Sequence, residues 1–209
     1  MTTLLIATRN AHKIAELSQL LGGGVIVRTL NDFPAAPAVV EDASTFDGNA
    51  RKKAKTLARW LPAEFFSPNF YVLADDSGLE VDALGGAPGV HSARFAAIAT
   101  DGSNSPDPDN NAKLLRLLEG ISPRKRGARF RCVLALTPTS GGQTVCFEGV
   151  CEGRIAQAPS GSGGFGYDPL FIPEGCARSF AELGADVKNK LSHRARALEK
   201  LREYLWYRR

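Results

Sequence analysis

An α/β fold built on a mixed β-sheet is what the 209-residue sequence predicts, and three observations carry that prediction. Short apolar runs alternate with helical periodicities through the front of the chain. Two extended stretches flank Ser140-Gly141-Gly142 and read as a hairpin behind them. The length suits one domain, because single domains hold ~100–200 residues and some exceed that; the prediction is one domain over 1–209. Strand–helix alternation followed by a hairpin is the pattern of an α/β sheet with both parallel and antiparallel members.

The elements follow in order. Thr3 to Ala7 is a short apolar run, read as a buried strand. Asn10 then caps a helix in which Ile14, Leu17 and Leu21 recur at helical spacing, and Gly22-Gly23-Gly24 ends it. Val25 to Arg28 is a second strand. Ser44 opens a second helix, with Asp47 three residues on as in a capping box, and Pro62 stops it after Trp60. Tyr71 to Ala74 is a buried strand ending in Asp75-Asp76-Ser77-Gly78; Leu79 to Leu84 is extended, and Gly85 to Gly89 is a turn. Ala96 to Asn111 is an exposed polar loop, leading into a helix from Asn110 to Leu118 capped by Asp107 before Pro108. Ala128 to Leu136 and Gln143 to Ile155 form the hairpin, a glycine-rich loop runs from Pro159 to Tyr167, and Ser192 caps a last helix reaching Trp206.

Composition excludes several classes. Hydrophobic residues at 44% and charged residues at 23% are those of a globular chain rather than a disordered one. The formal charge of +4 suits an anionic ligand but is too weak to demand nucleic acid. Four cysteines without a C-x-x-C pair, and three histidines, argue against structural zinc and for reduced thiols in the cytoplasm. The N-terminal apolar run is too short and lacks the preceding basic residues of a signal peptide, and no run approaches the ~18 apolar residues of a membrane span.

Several runs carry chemistry, each with an ordinary structural reading beside it. Thr8-Arg9-Asn10-Ala11-His12-Lys13 lies where a strand hands over to a helix, a place whose dipole and N–H groups favour phosphate; it is also simply a capped helix with a surface lysine. Asp75-Asp76 sets two carboxylates together, costly without a cation, for which Mg2+ is the hard, oxygen-seeking partner. Along a strand the two must point to opposite sides, so their roles should differ. Glu41-Asp42 is a second acidic pair that could supply another metal ligand, though acids before a helix N-terminus are the favoured explanation on these residues alone. Arg51, Lys52, Lys53 and Lys55 cannot share one helix face, so some are solvated; a solvated face is the default reading, with one or two able to turn inward to a polyphosphate as the functional one. Gly161 to Gly166 matches G-x-G-x-x-G but follows a hairpin rather than opening a crossover helix, so it is no dinucleotide fingerprint; its Phe165 and Tyr167 are candidates to stack on a base. His193 and Arg194 offer donors to carbonyl or phosphate oxygens, or merely begin a capped helix.

Taken together these runs resemble the Ham1-like inosine/xanthosine triphosphate pyrophosphatases, which act on non-canonical purine nucleotides. The matching runs are Thr8-x-Asn10-x-x-Lys13, Thr45-Phe46-x-x-Asn49-Ala50-x-x-Lys53-Ala54, Asp75 to Leu79, Gly85 to Gly89, Ser92-Ala93-Arg94, Gly164 to Pro169, and Lys188-Asn189 with Ser192-His193-Arg194. None is specific alone, but seven in family order, over almost the whole chain, are. The resemblance implies an elongated α/β fold, a long mixed β-sheet with flanking helices and two lobes around a central cleft. It implies a homodimer, Mg2+ dependence, and hydrolysis of dITP, ITP and XTP to the monophosphate and pyrophosphate. By that resemblance Asp76 is the proton acceptor and, with Glu41, a metal ligand. Thr8, Arg9, Asn10, Ala11, His12, Lys13, Lys53 and Ser77 would hold the triphosphate. Phe165, Gly166, Tyr167, Asp168, Lys188, His193 and Arg194 would hold the nucleoside end. Gly48, Val187 and His91 depart from the usual family residues.

The chemistry is coherent. A 6-oxo purine accepts a hydrogen bond where adenine donates one, and a site of donors at that position rejects ATP by leaving polar groups unpaired. Two alternatives stand beside it: the same fold acting on another modified nucleotide, and a nucleic-acid-binding module resting on Arg124-Lys125-Arg126, Arg129 and Arg131. The second is disfavoured by acid pairs where the ligand should sit.

Overall fold

A computed structural model describes residues 1–97 and 103–206. The middle of the polar loop expected at 96–111 therefore lies outside the described residues. Six strands and five α-helices are found among them: β1 (Thr3–Ile6), α1 (Ala11–Leu21), β2 (Ile26–Thr29), α2 (Phe46–Trp60), β3 (Phe70–Val81), α3 (Asp107–Leu117), β4 (Gly127–Pro138), β5 (Val145–Ile155), β6 (Phe171–Pro173), α4 (Phe180–Leu191) and α5 (His193–Trp206). The strands form one sheet in the order β2-β1-β3-β4-β5-β6. β1 runs parallel to both β2 and β3, while β5 and β6 are antiparallel, so the sheet is mixed as the sequence predicts.

Two compact units divide the chain. The first comprises Met1–Asp76, Cys132–Gly149 and Arg194–Arg209. Its core joins Leu4 and Ile6 of β1, Leu17 and Leu21 of α1, Leu134 and Leu136 of β4, and Ala197, Leu198 and Leu201 of α5. β1 is apolar at consecutive positions because β2 and β3 flank its edges and side chains on both faces are buried. The second unit comprises Ser77–Arg131 and Val150–His193, and its core gathers Leu79, Leu114, Phe130, Ile155, Phe171 and Phe180.

Several local expectations shift. The acid pair does not close a strand: β3 continues through it for 12 residues, since Leu79 and Val81 are buried and extend the apolar run past the two aspartates. α2 is capped by Thr45, not Ser44, its hydroxyl accepting from Gly48 N at 3.1 Å. α3 begins at Asp107 itself, with Pro106 in the cap position. Ser192 ends α4 as its C-cap and stands immediately before α5, so the last helix begins where the sequence predicts, with another helix directly in front of it. That helix, α4, escaped the sequence reading although Ser179 and Glu182 form the reciprocal capping box that marks a helix start. Gly184 interrupts its periodicity with φ 78, which hides the amphipathic pattern. Among the described residues no helix is long and apolar enough to cross a membrane.

Candidate active site

Alternation along β3 sends its two adjacent carboxylates to different neighbours in the first unit. Asp75 is buried and meets cations: Oδ1 accepts from Lys13 Nζ at 2.5 Å, and Oδ2 accepts from Arg194 Nε at 2.9 Å and from Cys132 Sγ at 3.3 Å. Arg194 reaches on to Glu16. Burial alone would raise the Asp75 carboxyl, but Arg194 and Lys13 overcome it and hold it well below the usual range. Burial and the Asp75 charge together push the Cys132 thiol well up, so it stays protonated and donates.

Asp76 has the opposite environment. Its Oδ1 lies 3.6 Å from Lys53 Nζ, and its Oδ2 is buried with no hydrogen-bond partner. Burial, with the neighbouring charge of Glu41 acting the same way and Lys53 and Lys13 against it, raises its carboxyl to about 6. Lys53 is the inward lysine of its cluster. It donates to Glu41 Oε2 at 2.8 Å and to the Asp75 carbonyl at 2.6 Å, so it ties the Glu41 segment to β3. Burial would raise the Glu41 carboxyl too, but Lys53 brings it below its ordinary value.

A divalent ion fits this pair on its own geometry. A buried carboxylate oxygen left unpartnered beside a second carboxylate, with Lys53 engaged on the other oxygens, has room for a further cation. No group of three or more His, Cys, Asp or Glu that could hold a metal exists among the described residues. Two carboxylates are what Mg2+ ordinarily takes from a protein, with water and phosphate oxygens supplying the rest.

Asn49 is a functional residue the sequence reading left unassigned. It is fully buried on α2; Oδ1 accepts from Ala43 N at 2.9 Å and Nδ2 donates to Ala43 O at 3.4 Å. It also neighbours Asp76 and acts to lower that carboxyl. One side chain thus fixes the segment carrying Glu41 and favours the charged form of Asp76. A polar residue at the inward position four before Lys53, on the same helix face, was the available signal. Gly48 belongs to the same packing: a Cβ there would lie 2.7 Å from Ala43 Cβ, so a larger residue would crowd the segment that follows Glu41.

The start of α1 is organised by Asn10, whose Oδ1 accepts from His12 N at 3.0 Å and Lys13 N at 3.1 Å. Thr8 Oγ1 accepts from Asn10 N at 3.2 Å, and Arg9 is fastened to the Ala36 carbonyl at 2.7 Å. Arg9, Asn10, Ala11 and His12 are exposed, and Lys13 is turned in toward Asp75.

In the second unit Ser77 continues β3, and the glycine-rich loop is pinned by Asp168. Asp168 Oδ2 accepts from Phe165 N at 2.9 Å and from Lys188 Nζ at 2.5 Å, and that ammonium sits 4.5 Å over the Phe165 ring. Gly166 N donates to Asp107 at 2.6 Å, and its carbonyl accepts from Asn111 at 3.0 Å. Gly164 is required here: φ is +75°, and a Cβ would stand 2.0 Å from Asp168 Oδ2. Tyr167 is not available to stack on a base. Its ring is in the core and its hydroxyl donates to Ser92 O at 2.9 Å, which leaves Phe165 as the half-buried aromatic of the loop. His193 is buried with its ring stacked on Phe130, centroids 4.8 Å apart. His193 and Arg194 thus have separate surroundings, although they are sequence neighbours. The basic run proposed for nucleic acid is largely neutralised: Arg129 pairs with Asp82 and Glu152, Arg131 pairs with Glu80, and Arg126 is buried on three carbonyls.

These features define a class. The Ham1 family model matches residues 4–204, and the chain belongs to the Ham1 family. It is 48% identical over 203 residues, covering 97% of this chain and 96% of the relative, to the dITP/XTP pyrophosphatase of Shouchella clausii. The dITP/XTP pyrophosphatase of Geobacter sulfurreducens is 46% identical, with 98% and 97% covered. Among solved structures, a HAM1 protein from Coxiella burnetii superposes with TM-score 0.83 at 37% identity, covering 99% of this chain and 100% of that one.

Proposed function

We propose that this chain hydrolyses dITP, ITP and XTP to the nucleoside monophosphate and pyrophosphate, clearing these bases from the nucleotide pool. The observation that carries the reading is the buried Asp76, with an unpartnered Oδ2, beside Glu41 and Lys53. The names borne by full-length relatives supply the substrate class. We assign Mg2+ to Glu41 and Asp76. The chemistry it supplies when bound there is neutralisation of phosphate charge and orientation of a water for in-line attack at the α-phosphorus.

The remaining work belongs to the chain. Asp76 accepts the proton of the attacking water as its oxygen bonds to the α-phosphorus. The α–β bridging bond breaks, and pyrophosphate leaves with that bridging oxygen. Lys13 and Lys53 offset the charge that develops on it. Thr8, Arg9, Asn10, Ala11 and His12 at the α1 start, with Ser77, hold the phosphates through hydrogen bonds and the helix dipole. Phe165, the Gly166 to Asp168 backbone, Lys188 and His193 take the nucleoside end. Arg194, through Asp75, keeps the α1 lysine in place. Residues 1–209 act as one catalytic domain, in a cytoplasmic homodimer.

The test is pyrophosphate release from dITP, ITP, XTP, GTP, ATP and dUTP, with Mg2+ and with EDTA. Metal-dependent turnover of dITP and XTP about 100-fold or more above ATP is expected. Asp76→Asn should lower kcat by about 100-fold or more while the far-ultraviolet circular dichroism is unchanged. Full turnover by that variant removes Asp76 as the base. Turnover of dUTP alone reassigns the pocket, and no turnover of any substrate ends the enzymatic reading.

A further inference from the structure

The first unit holds a second concavity, of about 680 Å3, that the hydrolytic site does not use. One wall is α2, from which Arg51, Lys55 and Arg59 face it on successive turns; the other is the turn between β4 and β5. Lys53 is two residues from Arg51 and from Lys55, about 200° around the helix, so the two sets of cations serve opposite sides of α2. Lys53 is buried while Lys55 and Arg59 are exposed, as that geometry requires.

The charge in this concavity is unbalanced. Arg51 is satisfied, by Asp47 Oδ2 at 2.6 Å and the Thr144 carbonyl at 2.9 Å. Lys55 and Arg59 have no salt-bridge partner among the described residues, and no acidic side chain lines the cavity among them. The opposite wall is rigid. Thr137 and Thr144 hydroxyls bond at 2.8 Å across the turn, and Thr139 Oγ1 donates to Phe65 O at 2.8 Å. Phe66 also lines the cavity and is 50% exposed, a large apolar face left in water.

We propose that this concavity is a binding site for a nucleoside phosphate, with Lys55 and Arg59 taking the phosphates and Phe66 the base. Two cations outside any salt bridge beside one exposed aromatic face are complementary to an anion joined to a planar ring, and the volume lies within the ~300–1,000 Å3 of small-molecule sites. Inorganic polyphosphate shares the anionic half of that chemistry, and the test separates the two. The site is independent of the hydrolytic reading, because none of its residues takes part in it.

Isothermal titration of the full chain at low ionic strength, with EDTA present, uses ADP, pyrophosphate and adenosine as probes. ADP should bind more tightly than either of the others. Lys55→Gln/Arg59→Gln should weaken ADP and pyrophosphate by about tenfold or more, since each lost contact is charge-assisted. Phe66→Ala should weaken ADP and leave pyrophosphate unchanged. Turnover of dITP by the double variant should stay within about twofold of the parent, because surface changes away from the site are nearly neutral. Arg124→Gln/Lys125→Gln removes the same charge from exposed positions of the second unit and should leave both isotherms unchanged. Three results overturn the proposal: isotherms that superimpose for parent and double variant, an equal loss in the charge control, or pyrophosphate binding as tightly as ADP.

Discussion

Asp75 and Asp76 are identical side chains one residue apart, yet they carry different chemistry. Asp75 accepts from an ammonium, a guanidinium and a thiol, and its charge is locked in place. An ion pair this deep is retained only with such full satisfaction, because stripping water from each charge costs several kcal/mol. Asp76 lacks that satisfaction at Oδ2, and burial with Glu41 nearby raises its carboxyl to about 6. Asn49 holds the Glu41 segment against α2 through Ala43. Asn49→Ala should therefore weaken binding of Mn2+, used as a calorimetric probe, by about 10- to 100-fold, the range for lost supporting contacts around metal ligands. An unchanged Mn2+ affinity in a folded variant would show that Lys53 alone holds the Glu41 segment.

At the scale of elements, the glycine-rich loop shows how backbone conformation becomes side-chain placement. Gly164 lies in the left-handed region, and the space its Cβ would fill belongs to Asp168, which binds both Lys188 and Phe165 N. Gly164→Ala should cost about 1–3 kcal/mol, the scale of a strained backbone residue. For a chain of this length that lowers Tm by about 2–4 °C per kcal/mol, measurable by calorimetry. A Tm equal to the parent's would mean that Asp168 is held by contacts other than the loop's close approach. The capping box of α4 and the uninterrupted β3 belong to this scale as well. The first was legible as Ser179-x-x-Glu182 and the second was not, because two aspartates in a row suggest a strand end unless long-range cations are known to be waiting.

For the whole molecule, two cores rather than one are formed among the described residues, each drawing on distant parts of the chain. The first brings α5 onto β1 and α1 from the far end of the sequence. Phe65 packs on Phe33 and Phe70 with centroids 5.1 and 5.6 Å apart, while its neighbour Phe66 is exposed. Leu205 packs against the first core while Trp206 is exposed. The homodimer is an expectation for solution. Sedimentation equilibrium should give a mass about twice the 22.4 kDa of one chain. A single species at the monomer mass across micromolar concentrations would retire it.

Local chemistry was enough to read the fold class, the Asn10 cap and the glycine stop after Leu21. Each depends on a few neighbouring residues, over which helix capping, period and turn preference act. The ordered motifs were also enough to point to the family, since they lie in the chain itself. Tertiary structure alone decided that Arg194 should meet Asp75, 119 residues away, rather than stand beside His193. It alone chose Lys53 among its neighbours, buried the Tyr167 ring and left Asp76 Oδ2 without a partner. Those outcomes depend on which distant charges and apolar faces are brought together when water is excluded, and no local pattern encodes that distance.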